Sequence, residues 1–369
     1  MPTALVSLDK LKDPYSGLGQ FSLDLGRALV AANAPDLDLI YLLPRSRRGL
    51  LEQGAVRLAD TSPFKKESLR RLVRPLVPPP LRRLAAVDVW HAPHQDAKYL
   101  PFDPRVPVIL TIHDLNFLRE REPRELAGYV RSLQRKVDRA TVVTTGSAFA
   151  AGEIERHLDL EGKPLHTIPH GLPAPASLPS RPAGMPEGPF LFAIGHVVPR
   201  KNFAVLVPFM KRLTDAHLVI AGRNTGSYAR RMVSLAQDEG VADRIVTLGT
   251  VTADERQWLY QHCDAVVVPS LTEGFGLPVI EGMGEGKPVF MSRATSLPEV
   301  GGPLGFYWDS YEPDHMAEVF TQGMQAVQQD RSYGDKLRAH AARFSWAAAA
   351  KAYIELYLEI GNRKLETVP

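Results

Sequence analysis

The stretch DAVVVPSLTEGFGLPVIEGMGEGKPVFMS (264–292) contains a complete strand, loop, helix and second strand. The apolar runs DAVVVP (264–269) and KPVFMS (287–292) are typical of buried strands. Between them, Pro278 suits the first position of a helix, because its missing N–H would have no partner there in any case. Two strands joined through a helix run parallel in one sheet. The stretch therefore predicts a parallel α/β sheet.

The same alternation of short apolar runs and longer amphipathic patterns extends over almost the whole chain. In the first half, predicted strands lie at 3–8, 37–43, 87–92, 106–114, 140–145 and 165–170, and helical patterns at 18–32, 122–139 and 147–158. In the second half, predicted strands lie at 190–196, 217–222, 244–249, 264–269 and 287–292, and a long helical pattern at 344–362. This order predicts an α/β fold of two Rossmann-like, doubly wound parallel sheets.

A change of composition separates the two halves. The segment GLPAPASLPSRPAGMPEGP (171–189) contains six prolines and few large apolar residues, so it suits neither a helix nor the inside of a sheet. We predict an N-terminal domain at 1–172, a linker at 173–189, a second domain at 190–345 and a C-terminal helix at 346–369. Because parallel sheets bind ligands at the carboxyl ends of their strands, we expect the site in a cleft between the domains.

The composition limits the class of protein. The chain has 369 residues, 44% of them hydrophobic and 23% charged, which excludes a disordered or collagen-like chain. A net charge of +3 excludes a bulk field that recruits nucleic acid. Cys263 is the single cysteine, so an internal disulfide and a cysteine metal cluster are excluded. Without a signal peptide or a run of 18 apolar residues, we expect a cytoplasmic protein.

Two glutamates flank the glycine-rich turn of the opening stretch. Glu273 and Phe275 lie on the predicted loop, and Glu281 lies about one turn into the helix. Gly274 and Gly276 let the backbone turn sharply, and the free N–H groups there suit a phosphate. Each carboxylate would accept hydrogen bonds from sugar hydroxyls, Glu281 from a ribose and Glu273 from a pyranose. The alternative is a solvated loop glutamate and a glutamate favoured by the helix dipole.

A basic pair follows the first strand of the second domain, in IGHVVPRKNF (194–203). Arg200 would hold a diphosphate through its planar fork and Lys201 as a point charge. The alternative is a basic surface turn. The position directly after a strand favours the ligand site.

The first domain has a glycine pair of its own. The segment DPYSGLGQFSLDLG (13–26) places Gly17 and Gly19 at the start of a helix. Ser22 stands where a dinucleotide fingerprint has its third glycine, and eight residues separate the strand from Gly17. The alternative is a loop whose backbone touches a diphosphate.

Three histidines lie at the predicted strand ends of the first domain. These are His91 and His94 in WHAPHQDAKY (90–99) and His113 in TIHDLNF (111–117). A histidine at such a place is commonly a structural hydrogen-bond donor, whereas three at one sheet edge indicate substrate handling. His91 and His94 have metal-ligand spacing, but no third ligand accompanies them.

These motifs together resemble the retaining glycosyltransferases of family 4, which have the GT-B fold. The resemblance rests on E-G-F-G-L-P-x-x-E-G-M (273–283), P-R-K-N (199–202), S-G-L-G (16–19) and I-H-D (112–114), in that family's order, and covers about residues 5–345. It implies that His113, Lys201 and Glu273 are catalytic. The donor-binding residues implied are Leu18, Gly19, Arg200, Lys201, Glu273, Phe275, Gly276, Leu277 and Glu281. Acceptor-side candidates are Tyr15, His91 and His94.

One position departs from the family pattern. Many members have an arginine directly after the glycine that ends the first strand of the second domain, where this chain has His196. Arg200 is then the nearest residue that supplies the charge. The resemblance also implies that the C-terminal helix crosses back to the first domain.

The resemblance implies a retaining hexosyltransferase that uses a nucleotide sugar and needs no metal or other cofactor. The P-R-K-N and I-H-D-L-N-F segments look most like members that use GDP-mannose in bacterial lipopolysaccharide and surface-polysaccharide synthesis. The alternatives are a UDP-sugar-dependent transferase, a nucleotide-sugar epimerase of the same fold, and a nucleotide-binding module without catalysis. An NAD dehydrogenase is disfavoured by the incomplete glycine fingerprint.

A basic amphipathic stretch suggests a membrane partner. Residues 65–83 contain seven Lys and Arg residues and one glutamate, interleaved with apolar side chains. Such a patch fits peripheral contact with anionic lipid on the inner face of the cytoplasmic membrane, where a lipid-linked acceptor would lie. The alternative is a solvated helix between strands.

Overall fold

The chain divides into two compact parts. The computed structural model describes residues 1–51, 56–61, 87–101, 103–120 and 122–366. Unit 1 comprises Met1–Gly171 and Ser345–Pro369, and unit 2 comprises Leu172–Phe344. The basic stretch 65–83, for which membrane contact is predicted, lies outside the described residues.

In its described part, unit 1 contains a parallel sheet of seven strands. They are β1 (Thr3–Ser7), β2 (Asp38–Leu43), β3 (Arg57–Asp60), β4 (Val89–Ala92), β5 (Val108–Thr111), β6 (Val142–Thr145) and β7 (Leu165–Thr167). Their order is β3-β2-β1-β4-β5-β6-β7, and every neighbouring pair is parallel. The chain order therefore reverses between β1 and β4, which is the switch point of a doubly wound sheet.

Unit 2 contains a parallel sheet of six strands. They are β8 (Phe190–Ile194), β9 (His217–Ala221), β10 (Ile245–Gly249), β11 (Ala265–Val268), β12 (Val289–Ser292) and β13 (Phe306–Trp308). Their order is β10-β9-β8-β11-β12-β13, with parallel pairing throughout. The switch point of this sheet lies between β8 and β11.

Helices connect the strands. Among the described residues, the α-helices are α1 (Gly17–Ala32), α2 (Phe117–Glu120), α3 (Pro123–Arg139), α4 (Ala148–His157), α5 (Leu206–Met210), α6 (Ser227–Asp238), α7 (Ala253–His262), α8 (Leu277–Gly284), α9 (Leu297–Gly301), α10 (Pro313–Gln329), α11 (Tyr333–Ala341) and α12 (Trp346–Glu366). Short 3-10 helices lie at Asp9–Lys12, Arg45–Leu50, Pro199–Lys201, Phe203–Val205, Ala242–Arg244 and Gly302–Leu304. Within the described residues, none of these helices is long and apolar enough to cross a membrane.

Both faces of each sheet are covered by apolar side chains, as parallel sheets require. In β8, Phe190 and Phe192 pack into the cluster on one face, while Leu191 and Ala193 pack into the cluster on the other. Cys263 lies in the first of these clusters, and burial raises the pKa of its thiol to about 12. The prediction of two doubly wound parallel sheets is confirmed.

The C-terminal helix α12 belongs to unit 1, where it packs on α1. Its side chains Tyr353 and Tyr357 are buried among the apolar residues of α1 and β1. The Tyr357 hydroxyl lies 2.7 Å from Nδ1 of His91 on β4. Together, apolar burial and this polar contact attach α12 to the sheet.

Two strands and one boundary differ from the sequence-based expectations. The edge strands β3 and β13 were not predicted, because each is only three or four residues long and none of β3 is fully buried. Residues 173–189, expected to be a linker, form no helix or strand and belong to unit 2. The Leu172 N–H already donates to the Phe344 carbonyl inside that unit, at 2.8 Å.

Replacing Tyr357 by phenylalanine should loosen α12. The change leaves a buried ring nitrogen of His91 without its partner, which costs about 1–3 kcal/mol. Hydrogen–deuterium exchange of α12 peptides, measured by mass spectrometry, should then be faster by about tenfold or more. Tyr15→Phe removes a hydroxyl from a side chain that is 67% exposed and should leave this exchange unchanged. Unaltered exchange in Tyr357→Phe would show that α12 does not depend on this contact.

Candidate functional site

A buried ion pair spans the switch point of unit 2. Lys201 ends the 3-10 helix that follows β8, and Glu273 lies on the loop that follows β11. The Lys201 Nζ donates to Glu273 Oε1 at 2.5 Å, and each residue is only 8% exposed. Since open parallel sheets bind ligands outside the carboxyl ends of strands at this point, the pair marks the candidate site.

Hydroxyl groups hold the Glu273 loop in place. Ser270 Oγ donates to Glu273 Oε1 at 2.7 Å, and the Glu273 N–H donates to Thr295 Oγ1 at 2.9 Å. Ser296 Oγ donates to the carbonyls of Glu273 and Phe275, at 3.1 and 2.9 Å. Sequence reasoning missed Ser270, Thr295 and Ser296. The only signal that could have pointed to Thr295 and Ser296 was their position directly after the strand β12.

The surroundings keep the Glu273 carboxylate ionised. Burial by itself raises the pKa of this carboxyl group. The Lys201 ammonium, with smaller contributions from the Arg200 charge and the Ser270 hydroxyl, outweighs burial, so the pKa of Glu273 lies below its ordinary value. A paired, hydrogen-bonded carboxylate of this kind is a hydrogen-bond acceptor rather than a proton donor.

The helix α8 begins four residues after Glu273. Gly276 precedes the helix with φ +107°, a backbone conformation that favours glycine. The helix begins at Leu277, so Pro278 occupies its second position, one residue later than predicted. The Phe275 ring is buried edge-on against Phe344, with 5.6 Å between centroids. Because the Phe275 ring is packed in the core, only the backbone of this residue is left for the donor contact expected of Phe275.

Glu281 lies on α8 and also has a basic partner. Arg256 of α7 donates to Glu281 Oε1 at 3.3 Å, and the Glu281 side chain is 9% exposed. Sequence reasoning missed Arg256, which lies 25 residues earlier in the chain. The ion pair holds the Glu281 carboxylate in place, and both Glu281 and Glu273 belong to unit 2.

Arg200 is part of the same loop system. Its carbonyl accepts a hydrogen bond from the Leu271 N–H at 2.8 Å, which joins the loop after β8 to the loop after β11. Its charge contributes to the lowered pKa of Glu273. His196, which stands where related chains have arginine, is exposed.

In unit 1, the glycine-rich segment forms the first turn of α1. Ser16 caps this helix by accepting the Gly19 N–H at 3.1 Å. A Cβ atom on Gly19 would lie 1.9 Å from the Asp13 carbonyl oxygen, so the turn requires glycine there. Leu18 lies in this turn, and Tyr15 precedes it with an exposed side chain. The donor contacts expected of Leu18 and Gly19 stay predictions.

His113 follows β5 and has a defined protonation state. Burial lowers the pKa of its imidazole to about 4, so the ring is neutral near pH 7. Its Nε2 lies 2.9 Å from the Pro93 carbonyl, which can only accept a hydrogen bond. The proton therefore lies on Nε2, and Nδ1 carries the lone pair. The Phe21 ring packs edge-on against this imidazole, with 4.5 Å between the ring centroids.

His91 is a core residue rather than the acceptor-side residue expected from the sequence. It is fully buried within β4, and its Nδ1 and Nε2 contact the hydroxyls of Tyr357 and Thr111 at 2.7 and 2.9 Å. Burial lowers the pKa of its imidazole to about 3. Both nitrogens are used inside unit 1, so His91 holds α12 on the sheet. The sequence could not show this, because strand residues alternate between faces.

His94 is the second acceptor-side candidate. Its Nε2 lies 2.9 Å from Asp9 Oδ1, across the switch point of unit 1. Asp9 was missed, because 85 residues separate it from His94 in the chain. Among the described residues, no group of three or more histidine, cysteine, aspartate or glutamate side chains is arranged to hold a metal ion.

Two family profiles match the chain in series. The family described as "Glycosyltransferase Family 4" matches residues 15–174, and the family described as "Glycosyl transferases group 1" matches residues 181–338. The first match lies almost wholly in unit 1 and the second within unit 2. Both residues of the Lys201–Glu273 pair lie in the second match.

Two relatives from Escherichia coli illustrate the sequence similarity. A protein named serotype-specific mannosyltransferase WbdA is 31% identical over 188 residues, which are 48% of this chain and 23% of that protein. The chain thus matches about a quarter of that relative's length. A protein named O-antigen chain mannosyltransferase B is 26% identical over 385 residues, covering 96% of this chain and 98% of the relative.

A solved structure shows the same fold. Sucrose-phosphate synthase from Thermosynechococcus elongatus superposes with a TM-score of 0.77 over 98% of this chain and 100% of that one, at 19% identity. At this identity the likeness concerns the fold alone.

Replacing Lys201 by methionine should make unit 2 less stable in a pH-dependent way. Without the ammonium, the buried Glu273 carboxylate is left uncompensated, and breaking such a pair costs about 3–5 kcal/mol near pH 7. The pKa of Glu273 should rise, because burial then opposes ionisation with less compensation.

The sign of the pH effect follows from this shift. In the wild type, the lowered pKa of Glu273 stabilises the folded state at pH values above the pKa of an unfolded glutamate, about 4.3. This stabilisation is lost as the pH falls below that value. In Lys201→Met, protonation relieves the buried charge, so the difference from wild type should shrink as the pH falls from 7 to 4.5. Urea unfolding at these pH values measures this difference in the free energy of unfolding. Lys211→Met breaks a more exposed pair with Glu239 and should show a small, nearly constant difference.

Proposed function

Because the chain belongs to the glycosyltransferases of the GT-B fold, with a family 4 domain followed by a group 1 domain, we propose that it transfers mannose from GDP-mannose to a glycan or lipid-linked acceptor in bacterial surface-polysaccharide synthesis. The observation that carries this proposal is the buried Lys201–Glu273 pair at the switch point of unit 2. The names of two relatives, both mannosyltransferases and one of them an O-antigen enzyme, support the sugar and the pathway class.

Unit 2 binds the nucleotide sugar in this proposal. Lys201 and Arg200 face the diphosphate, the first as a point charge and the second as a planar fork. The backbone N–H groups of Phe275, Gly276 and Leu277 contribute further partial positive charge at the start of α8. These groups make the site anion-binding although the net charge of the whole chain is only +3.

Two carboxylates select the sugars of the donor. Glu273, ionised and held by Ser270, accepts hydrogen bonds from hydroxyls of the transferred hexose. Glu281, held by Arg256, accepts them from the ribose. Both carboxylates are nearly buried, so hydrogen bonds to them compete little with water.

The reaction retains the configuration at the anomeric carbon through a front-face displacement. The bond between C1 and the phosphate oxygen breaks, and the nucleoside diphosphate leaves with the electron pair. The acceptor oxygen forms its bond to C1 on the same face, and the departing phosphate oxygen takes the acceptor proton. Lys201, Arg200 and the start of α8 stabilise the charge that grows on the leaving group. This scheme requires no metal or other cofactor.

No carboxylate nucleophile takes part in the scheme. A covalent double displacement needs a carboxylate free to attack C1. Glu273 is already paired with Lys201 and bonded to Ser270, which makes it a poor nucleophile. His113, which is predicted to be catalytic, is neutral near pH 7, so it would act as an uncharged hydrogen-bonding group and add no charge to an oxocarbenium-like transition state.

A peripheral contact with the membrane accompanies the proposed reaction. Residues 65–83 are the segment for which contact with anionic lipid is predicted from the sequence. A lipid-linked acceptor would account for such contact.

Nucleotide selectivity tests the proposed donor. A ligand present at 100 times its dissociation constant stabilises the folded protein by about 2.7 kcal/mol. In a thermal-shift panel of GDP, UDP, ADP and their sugars, GDP and GDP-mannose should raise the melting temperature by several degrees, with the others less effective. Selective stabilisation by UDP compounds would contradict the GDP assignment, and no response to any nucleotide would contradict the proposed function.

Replacing Lys201 by alanine should lower turnover more than donor affinity. Charge on the leaving diphosphate is greater in the transition state than in the bound donor, so the ammonium contributes mainly to kcat. Loss of one such group lowers kcat by about 100- to 1,000-fold. Release of GDP in the presence of acceptor measures kcat, and calorimetric titration with GDP-mannose measures affinity. Unchanged turnover in a folded variant would remove Lys201 from the reaction.

A further inference from the structure

A second buried ionisable pair spans the switch point of unit 1. Asp9 opens the 3-10 helix that follows β1, and His94 follows β4, the neighbouring strand at which the chain order reverses. Their side chains lie 2.9 Å apart, with Asp9 8% and His94 1% exposed. The pair lies at the switch point of the unit 1 sheet, as the Lys201–Glu273 pair lies at the switch point of the unit 2 sheet.

The two nitrogens of the His94 ring are not equivalent. Burial lowers the pKa of this imidazole, although Asp9 opposes the shift, so the ring is neutral near pH 7. The proton of a neutral ring lies on Nε2, where it is donated to the Asp9 carboxylate. Nδ1 therefore carries a lone pair, and it is buried without a hydrogen-bond partner among the described residues. A buried acceptor without a donor costs free energy.

The loop that carries His94 is fixed on both sides. The Gln95 side-chain amide donates to the Asp114 backbone carbonyl and accepts from the His113 backbone N–H, each at 3.1 Å. The Gln95 backbone carbonyl accepts from Lys136 Nζ at 2.6 Å. On the other side, the Pro93 carbonyl accepts from the His113 ring. The His94 ring is thus held near His113, and each carries a lone pair on Nδ1.

The chemistry of this position favours a neutral donor. A carboxylate or phosphate offers no proton to a lone pair, and burial, which is the largest influence on the pKa of His94, disfavours bringing a further charged group to this position. A hydroxyl group donates to a neutral imidazole at no cost in charge. Sugars carry many such groups.

We propose that His94, held by Asp9, accepts a hydrogen bond at Nδ1 from a hydroxyl of the acceptor sugar. This inference rests on the proposed function, because it takes the acceptor to be a glycan. Asp9 is a positioning residue: it fixes the ring and its tautomer and does not touch the sugar. The acceptor proton still goes to the leaving phosphate, so His94 orients the acceptor and carries no charge during the reaction.

A matched pair of histidine variants tests the proposal. In His94→Gln, the side-chain amide can still donate to Asp9 but places no acceptor at the position of Nδ1. With methyl α-mannoside as the acceptor probe, its KM should rise about tenfold, as expected for loss of one hydrogen bond, while the KM for GDP-mannose stays the same. His91→Gln is the control: both nitrogens of His91 are used inside the core, so its change should lower the melting temperature without raising the acceptor KM.

A measurement on the wild type keeps the proposal testable if His94→Gln does not fold. In protein labelled with 15N-histidine, methyl α-mannoside alone should shift the Nδ1 resonance of His94 and leave that of His91 in place. An unshifted resonance, or an acceptor KM in folded His94→Gln equal to the wild-type value, would overturn the proposal and point to a bound water on Nδ1.

The two proposals fail separately. The resonance shift requires no donor, so it reports on His94 even if no nucleotide sugar is turned over. Failure of the nucleotide panel with an intact shift would remove the proposed function, whereas transfer by the wild type with an unshifted resonance would remove only the role of His94.

Discussion

In each unit of this chain, one buried pair of ionisable side chains joins the two strands at which the order of the parallel sheet reverses. A parallel sheet ends all its strands at one edge, and helices that leave in opposite directions open a gap at the reversal. Residues that follow β8 and β11 meet there as Lys201 and Glu273, and residues that follow β1 and β4 meet as Asp9 and His94. The loops that carry the proposed substrate contacts depend on these two pairs, because each pair connects loops distant in sequence.

The two pairs differ in charge, and this difference divides the chemistry between the units. Burial lowers the pKa of His94 and of His113, so this edge of unit 1 holds neutral imidazoles, each with one nitrogen that can accept a hydrogen bond. In unit 2, the lysine and arginine charges outweigh the burial of Glu273, so that edge keeps an ionised carboxylate beside cations. The second arrangement suits a diphosphate and the sugar attached to it, and the first suits an uncharged glycan.

The sequence predicts the sheets well because their central strands are continuous apolar runs of a kind that only buried parallel strands need. It predicts the edge strands poorly: in β3, RLAD mixes charged and apolar residues, and in the part of the chain that the structure describes this strand pairs with β2 alone. It also locates Lys201 and Glu273 from their motifs, but not the hydroxyls of Ser270 and Thr295, which have no pattern of their own. Likewise, His91 and His94 look alike in the sequence, and only tertiary packing places one in the core and the other opposite Asp9.

The side chain at position 201 already forms an ion pair with Glu273, so its chemistry decides how easily this pair can open to bind a ligand. Lys201 and Glu273 are nearly buried, so in the proposed function a diphosphate and a sugar hydroxyl would replace one set of polar partners by another rather than displace water. Ser270 and Thr295 fix the glutamate, whereas the ammonium lies at the end of a flexible stem and can move toward phosphate while the carboxylate stays in place. An arginine would bind the same carboxylate through two parallel hydrogen bonds and give it up at greater cost. A point charge opposite a fixed carboxylate is therefore the combination that joins the two loops and, in the proposed function, still leaves both side chains able to bind the donor.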